Sequence, residues 1–338
     1  MSNFNRYHDI EKVDCHMHYN TDRTALLEAA TDENFRFVSI NSDIYFFPSI
    51  EEQERTIHSQ RKAFGNRLDY ICTFPAAGFN EPNWAKKSIE TIQRSVDKGA
   101  VAVKIWKNIG MELTDLNDDL VMVDDARLAP ILSYLEDNDI RLTGHLGEPR
   151  NCWLSLDEMT VKQDSQYFAE HPEYHMFLKP DFPSYEDQIA ARDRMLRNHK
   201  RLIFNGAHFA SLEWNVDEIA KRLDEFPEMM VDTAERICHL QYQSLTDYDR
   251  VRDFVLKYQD RIMYGTDIID DNSLTDAEII KHQKGRWAMH WKYFTTGDLM
   301  EAPKVSSEFR GLDLPWEAIE KIYYKNAQKF YDLKKISV

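Results

Sequence analysis

The stretch Val13-Asp14-Cys15-His16-Met17-His18, near the start of the chain, decides the fold. Apolar residues alternate with polar ones and lead into His-x-His, a pattern that predicts a β-strand. Residues i and i+2 of a strand point to the same face, so both imidazoles aim at one point. Neutral imidazole is the commonest protein ligand of zinc and related metals, although a polar pair at a sheet edge gives the same pattern. A catalytic zinc takes about three protein ligands and keeps one position open, so we expect further ligands at the ends of other strands.

The composition excludes several classes of partner. The 338 residues carry a formal net charge of -16, which repels phosphate backbones, so neither nucleic acid nor an anionic membrane surface is an expected partner. The four cysteines, Cys15, Cys72, Cys152 and Cys238, form no C-x-x-C pair, which indicates a reducing compartment rather than a disulfide framework. Residues 1–10 are polar, and no window approaches the roughly 18 continuous apolar residues of a membrane span. We therefore expect a soluble, cytoplasmic protein with no membrane partner.

Strand-like and helix-like segments alternate along the remaining chain. Residues 100–106 are a nearly continuous apolar run, which is typical of a parallel strand covered on both faces. No Gly-x-Gly-x-x-Gly turn follows the first strand, so a closed (β/α)8 barrel of the α/β class is favoured over an open doubly wound sheet. The whole chain, 1–338, then forms one barrel domain. The other strands are predicted at 35–40, 68–74, 140–145, 201–208, 229–232 and 261–267.

Two stretches interrupt this alternation. Residues 146–183 are rich in aromatic residues and prolines and form a long insertion after the fifth strand. Connections of this length in compact domains are often functional. Residues 275–338 follow the eighth strand and form a C-terminal helical segment. We expect both stretches to shape the specificity of the protein.

Residues suited to metal chemistry stand at the predicted strand ends. In barrels of this kind the chemistry lies at the C-terminal ends of the strands. The residues at or close to these ends are His16, His18, Lys104, His145, His208 and Asp267. Twelve histidines scattered at random would rarely place four at three strand ends, so the pattern predicts a metal site at the rim of the barrel.

With these residues in place, the chain resembles a known family. Residues 14–18 (Asp-Cys-His-Met-His) are similar to the first-strand motif of the amidohydrolase superfamily. Residues 144–149 (Gly-His-Leu-Gly-Glu-Pro), 206–208 (Gly-Ala-His) and 264–267 (Tyr-Gly-Thr-Asp) resemble its fifth, sixth and eighth strands, and residues 322–330 resemble its C-terminal helix. Within the superfamily the chain resembles the metal-dependent TIM-barrel hydrolases related to aminocarboxymuconate semialdehyde decarboxylase. The resemblance covers nearly the whole chain but says little about the substrate.

The resemblance implies a metal site. In it His16, His18, His145 and Asp267 surround one divalent metal, expected to be zinc with manganese as the alternative, and His208 contacts the bound water or the substrate. A metal at that point lowers the pKa of bound water from about 16 to about 7. Asp267 could take the proton of that water, or it could serve only as a ligand while His208 is the base. The sequence leaves both assignments open.

Three further residues are expected to contact the substrate, and each has an alternative. Lys104 approaches a carboxylate or carbonyl of the substrate, or is carboxylated and bridges two metals, or extends its ammonium out of the strand end. Glu148 orients a ligand histidine or touches the substrate, with a surface position as the alternative. Arg236 is suited to a bidentate grip on a carboxylate, unless it forms a salt bridge with Glu235. One metal is commoner in this branch than a binuclear site.

Two enzymatic functions agree with these residues. The leading hypothesis is a hydrolase in which a metal-activated water attacks an ester, lactone or amide bond of a small carboxylated or cyclic substrate. The alternative is a non-oxidative decarboxylase of an aromatic or muconate-type acid, which needs a cationic clamp on the carboxylate. An inactive binding protein would lack a ligand, and no principal position is missing here. The expected partner is a small molecule, and because relatives are often dimers, a homodimer is an open alternative.

Overall fold

A computed structural model describes residues 3–336 of the chain. Its parallel strands are β1 (Lys12–Tyr19), β2 (Phe35–Ile40), β3 (Leu68–Thr73), β4 (Ala102–Ile105), β5 (Leu142–Gly144), β6 (Phe204–Gly206), β7 (Met229–Asp232), β8 (Ile262–Met263) and β9 (Ile268–Asp270). A short antiparallel hairpin pairs β10 (Leu299–Met300) with β11 (Phe309–Arg310). The helices are α1 (Ala25–Asp32), α2 (Ile50–Phe64), α3 (Trp84–Asp97), α4 (Asn108–Met111), α5 (Ala129–Asp137), α6 (Lys162–Glu170), α7 (Tyr185–Asn198), α8 (Ala207–Ala210), α9 (Val216–Glu225), α10 (Ile237–Ser244), α11 (Tyr248–Lys257), α12 (Asp276–Thr295), α13 (Trp316–Glu320) and α14 (Asn326–Phe330).

The parallel strands close into a barrel. Their order is β8-β7-β6-β5-β4-β3-β2-β1-β9, so β1 pairs with β2 on one side and with β9 on the other. The segment between β8 and β9 also bonds to β1, because Cys15 N donates to Tyr264 O over 3.0 Å and Asp267 N donates to His16 O over 2.7 Å. The (β/α)8 barrel predicted from the sequence is therefore confirmed.

The eighth strand differs from its prediction. The sequence predicts a continuous strand over 261–267, whereas the structure divides it into β8 and β9. The chain between them turns through Asp267, whose φ of +59° lies in the left-handed region. An extended strand cannot contain such a residue, so the hydrogen-bond ladder breaks there. The break places the Asp267 carboxylate beside the histidines of β1.

Strands covered on both faces form the centre of the molecule. Every residue of β1 to β6 is buried, as expected for parallel strands packed between the barrel interior and a layer of helices. Helices α2, α7 and α12 begin with capping boxes at Ser49, Ser184 and Thr275, which satisfy free N–H groups of the first turn. Trp287 of α12 stacks on Phe35 of β2 with ring centroids 4.3 Å apart.

The insertion at 146–183 contains α6 and several short 3-10 turns. Cys152, Phe168 and Met176 from this stretch form an apolar cluster with Met111 of α4. Since α4 follows β4, the insertion packs beside the rim at which the strands end. This is the rim where the sequence places the metal-binding residues.

The chain after β9 also returns to the barrel. As far as residue 336 it contains α12, the β10–β11 hairpin, and the helices α13 and α14, which are joined by a π-helical turn at Lys321–Lys325. Tyr264 N, just after β8, donates to the Ile322 carbonyl in that turn over 2.9 Å. Within residues 3–336, no helix combines the length and the apolar character needed to cross a membrane.

Candidate functional site

Three side chains meet inside the barrel. His16 and His18 lie two positions apart on β1 and are both buried, and Asp267 lies in the turn between β8 and β9. Asp267 Oδ1 is 3.3 Å from His16 Nε2 and 3.4 Å from His18 Nε2. One ligand atom from each of the three residues lies within 4.8 Å of the other two. This spacing is close enough for a shared metal ion.

The opposite ring nitrogens of these histidines have partners outside the cluster. His18 Nδ1 lies 2.7 Å from the Ile40 carbonyl, and His16 Nδ1 lies 3.0 Å from Asp232 Oδ2. A carbonyl oxygen only accepts, so His18 Nδ1 carries the hydrogen and Nε2 keeps a lone pair directed at the cluster. The Asp232 carboxylate likewise places the hydrogen of His16 on Nδ1, so His16 Nε2 keeps its lone pair. These contacts select the tautomers that a metal ligand needs.

His208 and His145 extend the cluster to one side. The ring centroid of His208 is 4.7 Å from that of His16 and 4.2 Å from that of His145. His208 Nδ1 lies 2.9 Å from the Ala234 carbonyl, and its Nε2 lies 4.0 Å from Asp267 Oδ2. The Asp267 carboxylate thus has one oxygen toward β1 and the other toward His208. His145 lies beyond His208, outside the group of three close ligands.

Four buried side-chain nitrogens of the site have no hydrogen-bond partner among residues 3–336. They are His16 Nε2, Lys104 Nζ, His145 Nε2 and His208 Nε2. Leaving a buried polar atom unpaired costs about 1–3 kcal/mol, so a group of such atoms indicates a binding site. Imidazole nitrogens together with a carboxylate are the donor set that binds zinc and manganese. The residues present therefore fit a divalent metal.

Burial sets the ionisation of the cluster. It lowers the pKa of His18, lowers the pKa of His208 to about 3, and together with nearby basic groups lowers the pKa of His145 well below its usual value. Burial alone would raise the pKa of Asp267, but its electrostatic interactions with His16 and His208 outweigh burial and hold that pKa well below its usual range. The three rings with lowered pKa values are therefore neutral and the carboxylate is ionised at neutral pH, as metal binding requires.

A left-handed turn carries His208 to the cluster. Residues 208–211 have φ values of +58°, +54°, +58° and +56°. This conformation costs roughly 1–2 kcal/mol for each residue other than glycine, and it persists only where the surroundings hold it. Asp232 Oδ1 accepts a hydrogen bond from His208 N over 2.9 Å, and Arg192 donates to the Ala210 carbonyl. The turn follows β6, so the strand ends two residues before the sequence predicts.

A cavity of about 320 Å³ has His18, His145, His208 and Asp267 in its wall. Small-molecule sites combine apolar side chains with convergent polar groups, and this wall contains both. The basic residues of the wall are Lys104, Lys107 and Arg236, and the aromatic residues are Phe46, Phe47, Trp106, Tyr167 and Phe168. A larger and more open depression of about 650 Å³, bordered by Glu112 and Arg194, contains none of these groups. The smaller cavity is therefore the candidate substrate site.

Lys104 and Arg236 offer unused donors to this cavity. Lys104 Nζ and Arg236 Nε have no hydrogen-bond partner in the described chain, and both side chains are more than nine-tenths buried. Burial lowers the pKa of Lys104 to about 8, and its ammonium does not extend into solvent. The Glu235 carboxylate pairs with Arg286 and Lys304 instead of Arg236, so the salt bridge considered from the sequence is not the one found.

Glu148 faces the cavity rather than the protein surface. It forms an ion pair with Lys107, and its Oε2 lies 3.9 Å from His145 Nε2. Burial lowers the pKa of Lys107 to about 8. Glu148 therefore sits between a basic residue beyond β4 and a histidine beyond β5.

Several residues of the site were not assigned from the sequence. Asp232 accepts the contact from His16, and Asp14 accepts hydrogen bonds from Thr266 N over 2.9 Å and Thr266 Oγ1 over 2.6 Å. Both carboxylates lie in buried strands, where each needs donors. That requirement is the signal that could have identified them. Lys107 lies beyond the end of β4, and nothing in its local pattern distinguishes it from a surface lysine.

The barrel and its cluster of histidines and an aspartate define a class of protein, the metal-dependent TIM-barrel enzymes. The chain belongs to the amidohydrolase family, whose model matches residues 13–333. The resemblance seen in the strand-end motifs is therefore confirmed.

Solved structures of the same fold include three enzymes. The 2,6-dihydroxybenzoate decarboxylase from Rhizobium is 16% identical, with 95% of this chain and 98% of that chain covered and a TM-score of 0.53. The dihydroxybenzoic acid decarboxylase from Polaromonas, solved with manganese and the inhibitor 2-nitroresorcinol, is 13% identical, with 96% and 98% covered and a TM-score of 0.50. The 4-oxalomesaconate hydratase from Rhodopseudomonas palustris is 12% identical, with 95% and 95% covered and a TM-score of 0.50. At these identities the likeness shows the fold alone. A comparison with curated protein sequences finds no match.

Proposed function

We propose that this protein is a hydrolase in which a metal-activated water attacks an ester, lactone or amide bond of a small carboxylated or cyclic substrate. The observation that carries the proposal is the set of unpartnered imidazole nitrogens of His16, His145 and His208, beside a cavity of about 320 Å³ whose wall includes Asp267. Such a donor set suits a divalent cation, and a cavity of this size suits a small molecule.

The proposed metal ligands are His16, His18, His145 and Asp267. When bound, a divalent cation acts as a Lewis acid and makes hydroxide available at neutral pH. We propose one zinc ion, with manganese as the alternative, because a nitrogen-rich set with one carboxylate suits zinc. Lys104 then remains uncarboxylated, with its unpartnered ammonium directed at the substrate.

The two oxygens of Asp267 support a division of roles. Oδ1 lies near His16 and His18, on the side of the proposed metal, whereas Oδ2 lies 4.0 Å from His208 Nε2. We assign to Oδ2 the proton taken from the attacking water and later passed to the leaving group. His208 Nδ1 is held by the Ala234 carbonyl, so Nε2 is free to accept a hydrogen bond from the water and orient it.

The substrate carboxylate is proposed to bind Lys104 and Arg236. Both are cavity cations with unused donors, whereas Lys107 is neutralised by Glu148. A buried cation attracts a carboxylate strongly because few waters screen the pair. Glu148 is proposed to line the same region of the cavity and to contact the substrate.

A second function, non-oxidative decarboxylation of an aromatic or muconate-type acid, uses nearly the same residues. The observation that favours it is Arg236, a buried guanidinium with an unpartnered Nε beside aromatic walls. A decarboxylase must hold the carboxylate it removes, which such a clamp provides. A hydrolase does not require a cation at the position of Arg236.

The test is metal analysis of the purified protein followed by a substrate screen. We expect about one zinc or manganese per chain in the wild type, loss of that metal in His16→Ala, and its retention in His171→Ala, whose ring is exposed. Lactones, esters, amides and aromatic acids are then assayed for acid release and for CO2 release. A protein that binds no metal after reconstitution contradicts both functions.

The products of the screen separate the two functions. Acid release without CO2 supports the hydrolase, and we expect Arg236→Met to raise KM more than it lowers kcat. CO2 release supports the decarboxylase, and Arg236→Met is then expected to abolish turnover. Two metals per chain would indicate that Lys104 is carboxylated and bridges them.

We also propose that the protein works in the reducing cytoplasm. The four cysteines are buried and free, which supports a compartment without disulfide formation. A homodimer is the proposed assembly, and sedimentation equilibrium of the purified protein measures it directly.

A further inference from the structure

Arg286 of α12 makes two contacts to the barrel rim with one nitrogen. Its Nη1 donates to the Thr266 carbonyl over 2.7 Å and pairs with Glu235 Oε1 at 2.7 Å. Thr266 precedes Asp267, and Glu235 precedes Arg236. One side chain from the helical layer therefore contacts the ends of two strands, each beside a residue that lines the cavity.

One contact reaches a backbone carbonyl and the other a side-chain carboxylate, and each lies at a residue in, or next to, a left-handed conformation. Asp267 has a φ of +59° and Glu235 a φ of +55°, each in the left-handed region that favours glycine. The peptide joining Thr266 to Asp267 is held from both sides, because Asp267 N donates to His16 O over 2.7 Å and Thr266 O accepts from Arg286. Since this peptide sets φ of Asp267, the two bonds keep the carboxylate beside His16.

The second contact fixes the cavity wall at Glu235. Burial alone would raise the pKa of Glu235, but the charges of Arg286 and Lys304 outweigh it and lower that pKa to about 2. Gln163 Nε2 also donates to Glu235 Oε2 over 3.3 Å. The carboxylate is therefore ionised and fully engaged, and Arg236 keeps an unpartnered Nε in the cavity wall.

We propose that Arg286 is a positioning residue for both halves of the active site. It holds the Asp267 carboxylate toward the metal and, through Glu235, holds the wall from which Arg236 reaches the substrate. This inference rests on the proposed function. Arg286 is not among the residues that line the cavity, so it acts through its neighbours. A guanidinium suits the position because one planar nitrogen directs two N–H groups at fixed angles and keeps its charge when buried.

The test is a titration with Co²⁺, followed by the visible d–d absorption that reports the geometry around the ion. It uses the full-length wild type, Arg286→Met, and Arg252→Met as the matched control. Arg252 likewise joins a helix to backbone carbonyls, donating to Leu312 O over 2.9 Å, but lies away from the cavity. We expect Arg286→Met to bind Co²⁺ about 10- to 100-fold more weakly with an altered spectrum, as when a partner of a metal ligand is lost. We expect the control Arg252→Met to bind Co²⁺ as tightly as the wild type, although it loses about as much thermal stability as Arg286→Met.

The outcomes separate this inference from the proposed function. Wild-type Co²⁺ binding that survives in His16→Ala contradicts the proposed metal site, and the inference with it. Wild-type binding that is lost in His16→Ala but unchanged in Arg286→Met overturns the inference alone.

A second variant covers the case in which Arg286→Met does not fold. Arg286→Lys keeps the charge, but its shorter ammonium cannot reach both acceptors in the same geometry. We expect Arg286→Lys to bind Co²⁺ at least about 3-fold more weakly than the wild type. This loss is smaller than the one expected for Arg286→Met. An affinity equal to that of the wild type overturns the inference.

Discussion

At the end of β7, the carboxylate of Asp232 accepts four hydrogen bonds. Oδ2 accepts from Asn205 Nδ2 over 2.8 Å and contacts His16 Nδ1 at 3.0 Å, while Oδ1 accepts from the backbone N of His208 over 2.9 Å and of Ala234 over 3.2 Å. Burial alone would raise its pKa, but the electrostatic interaction and hydrogen bond with His16 and the interactions with His208 hold that pKa well below its usual range. One residue therefore orients His16 and anchors the left-handed turn at His208.

Asp232→Asn is expected to weaken metal binding about 10- to 100-fold, because the amide places a donor where a carboxylate oxygen accepted and His16 loses its partner. The free energy of unfolding is expected to fall by about 1–3 kcal/mol. Metal titration and urea denaturation measure the two effects.

Asp69→Asn is the matched control for that substitution. Asp69 is also buried and pairs with Arg36 at 2.6 Å, but lies at the start of β3, away from the site. We expect it to lose stability while keeping metal affinity. If both variants weaken metal binding equally, the role of Asp232 is general stability.

His290 of α12 provides a pH-dependent term in the stability. Its Nδ1 lies 3.0 Å from Tyr264 Oη, and burial lowers its pKa from 6.5 to about 3. Below pH 6.5 the unfolded chain binds a proton at His290 that the folded chain does not. The free energy of unfolding therefore decreases as the pH falls toward the folded-state pKa of about 3. We expect the wild type to lose about 1 kcal/mol more than His290→Gln between pH 6 and pH 5.

Urea denaturation over that pH range measures this difference. His171→Gln serves as the control because the His171 ring is exposed. Equal pH slopes in the wild type and His290→Gln would show that His290 is protonated in the folded state.

At the scale of the element, α12 connects the helical layer to the site. Gln283 Nε2 donates to Thr266 Oγ1 over 3.1 Å and to Asp14 Oδ2 over 3.3 Å, one turn before Arg286 reaches the Thr266 carbonyl. Thr266 is thus held by β1 and by α12 together. The position of Asp267 depends on a helix that follows it in the chain.

Thr275→Ala is expected to destabilise the protein by about 0.5–2 kcal/mol, because it removes the N-cap of α12. Thr275 Oγ1 accepts from Glu278 N over 3.4 Å, and the Glu278 carboxylate accepts in return from Thr275 N over 2.9 Å. Thr91→Ala is the control, since Thr91 is a half-buried residue inside α3, where alanine has the higher helix propensity. Thermal unfolding compares them, and equal melting temperatures for the two variants would show that the cap contributes nothing.

At the scale of the molecule, the proposed metal lies where the sheet closes. His16 and His18 belong to β1, and Asp267 belongs to the break in the eighth strand that pairs with β1. An ion bound there would join the first and last strands of the barrel. It would therefore stabilise the folded chain, because the unfolded chain has no equivalent site.

Removal of the metal by a chelator is expected to lower the melting temperature. At a free metal concentration of 1,000 times Kd the loss is about 4 kcal/mol. Differential scanning calorimetry with and without chelator measures the change, and readdition of zinc or manganese should reverse it. His16→Ala should melt at the same temperature in both conditions. A chelator effect of the same size in that variant would mean that the stabilising ion binds elsewhere.

Much of the architecture followed from local patterns. Alternating and continuous apolar runs predict β1 to β7 close to their observed positions, because burial on one or both faces imposes a period that the residues must follow. His16 and His18 could be placed on one face of β1 for the same reason. Gly99, two residues after α3 ends at Asp97, has a φ of +96°, which few residues other than glycine adopt.

The sequence by itself determined the barrel, its family and the strand ends that carry ionisable residues, since these depend on neighbours along the chain. Only the tertiary structure decided which of these residues meet. Asp267 reaches His16 because the eighth strand breaks at a left-handed residue, and Glu148 turns inward because Lys107 of another segment neutralises it. Contacts between distant segments have no local period, so burial and charge pairing in the folded chain determine them.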